Sequence, residues 1–90
     1  MNKYLVEFLG TLLLVTVIWV TGNYLAIGAA LALAVYLGGT ISGGAFNPAV
    51  ALTMYSSGNI LDSDIIPYIV AEILGAYVGL ILYKQFFLNH

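Results

Sequence analysis

Between two long apolar runs the chain breaks into a polar, glycine-rich turn, Ser42-Gly43-Gly44-Ala45-Phe46-Asn47-Pro48-Ala49-Val50, and this turn limits what the chain can become. Asn47 suits a helix N-cap, with its side-chain oxygen accepting from the backbone N–H of Ala49 or Val50. Pro48 suits the first helical position, where no N–H is needed. Capped that way, the Asn47 amide keeps its NH₂ free to donate elsewhere. The helix so opened runs to about Tyr55, where Ser56-Ser57-Gly58-Asn59 stops it. Roughly eight residues at about 1.5 Å each give about 12 Å, less than half of a hydrocarbon core of about 30 Å. It is a half-helix, too short to span.

What surrounds the turn is fit for lipid. At 62 % hydrophobic and 7 % charged residues, the 90-residue chain carries more apolar surface than a soluble domain of that length can bury. A net charge of −2 gives no reason to expect nucleic acid as a partner. The absence of cysteine excludes disulfide and thiolate–metal frameworks, and the one histidine, His90, cannot hold a metal alone. With no nucleophile–base set, metal cluster or phosphate loop, the expectation is no enzyme, no catalytic residue and no cofactor. The chain reads as an all-α, integral, multi-pass membrane protein with one domain over residues 1–90.

The apolar runs give the count. Tyr4–Val20 is the first; Glu7 near its front, and the lack of a small-x-small site after Trp19, argue against a cleaved leader. Thr21-Gly22-Asn23 is a turn signal. Leu25–Ile41 carries Ala26, Ala30, Ala34 and Gly38 at four-residue spacing, a small-residue stripe that lets backbones approach in lipid. Asp62-Ser63-Asp64 offers N-caps for a last helix over about 65–87, with Pro67 in its first turn and Gly75-x-x-x-Gly79 as a packing face. The organisation predicted is therefore a helix over about 4–20, a second over about 25–41, a re-entrant loop and half-helix over 42–55, and a third spanning helix. Non-helical backbone cannot face lipid, so the loop must be buried in protein or line water. If it lines water, the carbonyls of Gly43, Gly44 and Ala45 form a ladder of acceptors, and the half-helix aims its positive end into the membrane middle.

These residues carry a resemblance. SGGAFNPAV resembles the first signature loop of the aquaporin and glycerol-facilitator (major intrinsic protein) family. Glu7-Phe8-Leu9-Gly10-Thr11 is similar to the EFLGT opening of that family's first helix, and Glu72-x-x-Gly75-Ala76 to its QxxGA, with Glu where Gln is common. The likeness covers nearly the whole chain. Family members are two such halves in tandem, inserted in opposite senses, whose Asn-Pro-Ala half-helices meet at the midplane. The resemblance thus implies half of an aquaporin-like right-handed bundle.

Half a bundle is not a pore, and the sharper expectation is that two copies pair antiparallel, as a homodimer of dual topology. Three spans put the termini on opposite sides, and one lysine per side, Lys3 and Lys84, leaves almost no positive-inside bias. In such a pair the two Asn47 amides donate to a passing oxygen at the midplane, and the half-helix ends oppose cations and hydronium. The resemblance also places filter-like positions at Ile27, Val35, Gly44 and Val50, with no arginine anywhere in the chain. The expected traffic is water and small uncharged solutes such as glycerol or ammonia. Since the family usually packs four pores together, four such pairs is the corresponding guess. The duller alternative is a truncated half that needs a separate second half.

Ionisable groups inside spans are functional candidates by default. For Glu7, near a helix end, one reading is an interfacial carboxylate reaching headgroups; the resemblance implies instead an acceptor for backbone N–H groups of the re-entrant loop. Glu72, two turns into its helix, suits that support role better. A further class keeps the same residues in play: a small dual-topology, proton-coupled transporter using Glu7 or Glu72. Tyr4, Trp19, Tyr24, Tyr55, Tyr68 and Tyr83 mostly flank the runs and read as interface aromatics.

Overall fold

The computed structural model describes residues 1–88; His90 lies outside the described residues. Four helices follow one another: α1 (Lys3–Thr21), α2 (Tyr24–Ser42), α3 (Pro48–Ser56) and α4 (Ile65–Phe86). Among the described residues α1, α2 and α4 are long and apolar enough to cross a membrane, and α3 is the short one. The first two helices each extend one residue further at both ends than the sequence predicts, and α4 stops at Phe86.

Capping chemistry sets these limits. The Asn2 side chain accepts from the backbone N–H groups of Tyr4 and Leu5, opening α1. Gly22, left-handed at φ 54°, closes that helix, and Asn23 at once caps α2 through Leu25 and Ala26. The result is a tight helical hairpin with no room for a loop. The start of α4 departs from expectation. Asp64 holds the N-cap position, yet its side chain caps nothing. Instead it accepts from Lys3 Nζ at 2.6 Å and from the Tyr4 hydroxyl at 2.5 Å. The carboxylate that could have capped its own helix ties the start of α4 to the start of α1.

Helix α1 is the hub. It packs on both α2 and α4, whereas α2 and α4 do not touch, and α3 leans on α4 alone. The contact with α4 is close because Gly75 and Gly79 face bare α1 backbone. A Cβ on Gly75 would collide with the Phe8 carbonyl, and one on Gly79 would come within 3.1 Å of the Leu12 carbonyl. Packing rather than water exclusion holds helices together in lipid, so this small-residue seam is where α1 and α4 gain their contact. At one end of the seam Lys3 meets Asp64; at the other the Trp19 and Tyr83 rings stand 5.6 Å apart. Both helices therefore run the same way, and α2 runs back. The near side holds Met1 and Asp64; the far side holds the α1–α2 turn and the end of α4.

One expectation about aromatics fails here. Tyr68 is only 4 % exposed, and its hydroxyl donates to the Ser42 carbonyl at 2.7 Å. Tyr4 is turned inward to Asp64 and meets Tyr68 edge-on at 6.0 Å between centroids. Tyr68 is a core residue and Tyr4 packs half-buried against it, each turned to a polar partner inside the fold rather than to a belt. Trp19 and Tyr24 remain exposed.

Candidate functional site

The gap between α2 and α4 is occupied by residues 43–47, which carry the chain back from Ser42 to the start of α3. Gly43 (φ 90°), Gly44 (φ 72°) and Phe46 (φ 53°) are all left-handed. Two glycines adopt that backbone freely, but a phenylalanine does not. Something must hold Phe46 there.

Glu7 does so. Its Oε1 accepts the Phe46 backbone N–H at 2.7 Å, and its Oε2 accepts the Ser42 hydroxyl at 2.6 Å. The Ser42 oxygen in turn accepts the Gly44 N–H at 3.2 Å, so one buried carboxylate fixes both ends of the bend. Tyr68 clamps the Ser42 carbonyl from the α4 side. The ring of Phe46, 2 % exposed, fills a niche between α1 and α2 made by Gly10, Gly38 and Val6. Its neighbour Ala45 points the other way, into the cluster of Ala51, Ile60, Ile65 and Tyr68. Consecutive residues thus pin the loop to opposite walls. Phe46 and Ser42 are the site residues that sequence reasoning missed; the available signal was the pair of glycines, Gly10 and Gly38, that vacates space for a ring.

Asn47 caps α3 as its chemistry dictates, with Oδ1 accepting from the Ala49 N–H at 2.7 Å and Pro48 in the first turn. Nine residues of α3 make about 14 Å of helix, and α3 returns to the near side to pack on the start of α4. Its N-terminus lies deep, because Asn47 follows Phe46, which is tied to the buried Glu7, and its backbone sits beside Glu72, about 10 Å along α4 from Ile65. Asn47, Ala49 and Val50 are exposed, on a wall that no contact between α2 and α4 covers. Among the described residues no hydrogen bond ends on the carbonyls of Gly43, Gly44 or Ala45, and the Asn47 NH₂ donates to none.

Of the filter-like positions, Val35 and Gly44 come together: a Cβ on Gly44 would touch the Val35 side chain at 3.5 Å. Val50 is exposed on α3. Ile27 stands apart, eight residues back along α2 and so about 12 Å nearer the far side. Glu72 takes its place beside the start of α3. It is fully buried, yet neither carboxyl oxygen completes a hydrogen bond of good geometry, although the carboxyl lies next to Glu7 and the Asn47 backbone. Supporting the loop falls to Glu7 first.

The comparisons with known proteins agree on one family. A family model described as Major intrinsic protein matches residues 1–90. The glycerol uptake facilitator protein-like 6 of Lactiplantibacillus plantarum is 47 % identical over 95 aligned positions, covering 96 % of this chain and 44 % of that protein. The probable glycerol uptake facilitator protein of Thermotoga maritima is 36 % identical over 110 positions, covering 100 % of this chain and 46 % of that protein. The probable aquaporin AqpM of Archaeoglobus fulgidus is 42 % identical over 66 positions, 69 % of this chain and 27 % of that protein. The chain spans about half the length, or less, of these curated relatives. No solved structure matches it.

Proposed function

The chain belongs to the major intrinsic protein family, an integral, multi-pass membrane protein with three candidate spans among the described residues, and from that premise we propose that two antiparallel copies form a passive channel for water and small uncharged solutes. The carrying observation is the open wall. Asn47 stands exposed there at the head of a half-helix of which only Ala51 is buried, its NH₂ free among the described residues, beside loop carbonyls that no described group engages. Unpaired backbone in lipid costs several kcal/mol per group, so this wall needs a protein partner and water. A second copy related by a twofold axis in the membrane plane supplies both. It brings a mirrored Asn47, closes the lumen, and leaves the two carbonyl ladders facing water.

Within that pair the roles follow from the geometry. Each Asn47 donates from its free NH₂ to a solute oxygen at the midplane. A water held by two such donors turns its hydrogens along the pore axis, which interrupts a proton wire. The two α3 N-termini, each about half a positive charge, raise the barrier to cations. Each mouth then takes Val35, Gly44 and Val50 from one copy and Ile27 from the other, since Ile27 lies toward the opposite face. This constriction is wholly apolar and carries no cation. It favours uncharged solutes, glycerol among them, over ions.

A second reading draws on the length of the relatives: the open wall is covered by a separate homologous half. Purified chain in proteoliposomes separates the two. The homodimer predicts osmotic shrinkage well above bare lipid, unchanged by an imposed proton gradient. Flux only after a second half is added supports the other reading, and gradient-dependent flux supports a proton-coupled carrier.

A further inference from the structure

Glu7 and Glu72 are both 0 % exposed and lie side by side in the core between α1, α4 and the re-entrant loop. They differ in what surrounds each. Both Glu7 oxygens are used, one by the Phe46 N–H and one by the Ser42 hydroxyl. Among the described residues both Glu72 oxygens lack a partner, as does the Thr11 hydroxyl one turn beyond Glu7 on α1. An ionised carboxylate only accepts, and neither neighbour offers a charge to balance it. Lys3 is engaged by Asp64 at the near side, and Lys84 is in the last turn of α4 at the far side. The other titratable groups packed toward this core are Tyr4 of α1 with Asp64, and Tyr68 of α4, whose proton goes to the Ser42 carbonyl. Tyr36 of α2 is exposed, and Tyr55 lies at the outer end of α3.

We propose that Glu7 and Glu72 form a buried proton-binding site, one proton shared by two carboxyl groups, that locks the re-entrant loop. Glu7 is the carboxylate. Glu72 is the carboxylic acid, whose O–H donates to Glu7 and whose other oxygen receives the Asn47 backbone N–H beside it. The proton gives one orphaned oxygen its partner, and the Asn47 N–H serves the other. It also joins the start of α3 to the carboxylate that holds Phe46 and Ser42. Without it, two like charges would touch in a dry core, which paired carboxyls avoid by keeping a proton. The site belongs to the folded chain and does not depend on conduction.

Infrared spectroscopy of the full chain in phosphatidylcholine vesicles tests this directly. Glutamate-selective ¹³C labelling assigns the bands. At neutral pH the wild type should show the carbonyl stretch of a protonated, water-shielded carboxylic acid, shifted by D₂O. Raising the pH far enough should abolish that band and lower the thermal midpoint together. In Glu72→Gln the band should be absent and the midpoint should lose its alkaline dependence, because an amide supplies the donor permanently. No such band in the wild type at neutral pH overturns the proposal, as does a band that survives Glu72→Gln. So does a band that appears only when sodium is withdrawn, which would make the bound species a cation. The wild-type titration decides the matter if the variant fails to fold. Loss of flux with the band retained counts against the channel alone.

Discussion

The Glu7 carboxylate accepts the backbone N–H of Phe46 at 2.7 Å across thirty-nine residues of sequence. That bond sets a left-handed phenylalanine at the bottom of the re-entrant loop. From there the direction of α3, the depth of Asn47 and the open wall all follow. Removing the acceptor should therefore be felt throughout. Glu7→Ala orphans the Phe46 N–H, at a cost of about 1–3 kcal/mol, and leaves the Ser42 hydroxyl only the Gly38 carbonyl at 3.4 Å. The thermal midpoint in detergent should fall sharply, and osmotic flux should fall with it. A variant as stable and as conductive as wild type would contradict the role given to Glu7.

Phe46 tests the same point from the other wall. Truncation to alanine empties the niche between Gly10 and Gly38, with an expected cost of about 3–5 kcal/mol. Phe46→Gly relieves the left-handed backbone but loses the same ring, so it should also be strongly destabilised. If chemical denaturation finds Phe46→Gly more stable than wild type, strain rather than packing dominates at this position.

The α1–α4 seam makes a paired prediction. Gly75→Val drives a side chain into the Phe8 carbonyl and the Leu12 backbone and should prevent the two helices from closing. Gly28→Ala meets nothing within 4 Å and relieves a flexible helical residue, for a gain of about 0.5–1 kcal/mol. Measured on the solubilised chain, the two substitutions should move the unfolding midpoint in opposite directions.

The near-side clamp gives a pH dependence of known sign. Hydrogen bonds from Lys3, then from Tyr4, hold the Asp64 carboxyl below its ordinary value of 3.8. A depressed carboxyl stabilises the fold above that ordinary value. The contribution is lost as pH falls through the lower, folded value. Acidification should thus lower the thermal midpoint of wild type, while Asp64→Asn should lack that part of the acid-side slope. Equal slopes in the two proteins would remove Asp64 from the account.

The parts of this fold that are legible in the sequence are those with local causes. Asn47 with Pro48, and Asn23 after Gly22, mark helix starts through contacts within a few residues, so neighbouring residue types alone place α3 and the hairpin. The apolar runs mark the spans for the same reason. What cannot be read that way depends on distant partners. Phe46 looks like an ordinary loop aromatic until Gly10 and Gly38, on two other helices, are seen to make room for it. Asp64 looks like an N-cap until Lys3 and Tyr4 claim its oxygens. Tyr68, at a helix start, suits an interface belt by position, and only its bond to the Ser42 carbonyl shows otherwise. Glu7 and Glu72 share one expected role, and only the fold shows that the first takes the Phe46 N–H and the Ser42 hydroxyl while the second lies beside it, against the Asn47 backbone.

The central claim is that two copies face each other across Asn47, and the chain's lack of cysteine makes a direct measurement simple. Ala49→Cys places a thiol on the open wall, beside the proposed twofold axis. In proteoliposomes, mild oxidation should yield a covalent dimer and stop osmotic water flux, and a reductant should restore it. The thiol staying monomeric and freely alkylated, with flux undiminished throughout, would contradict the antiparallel pore.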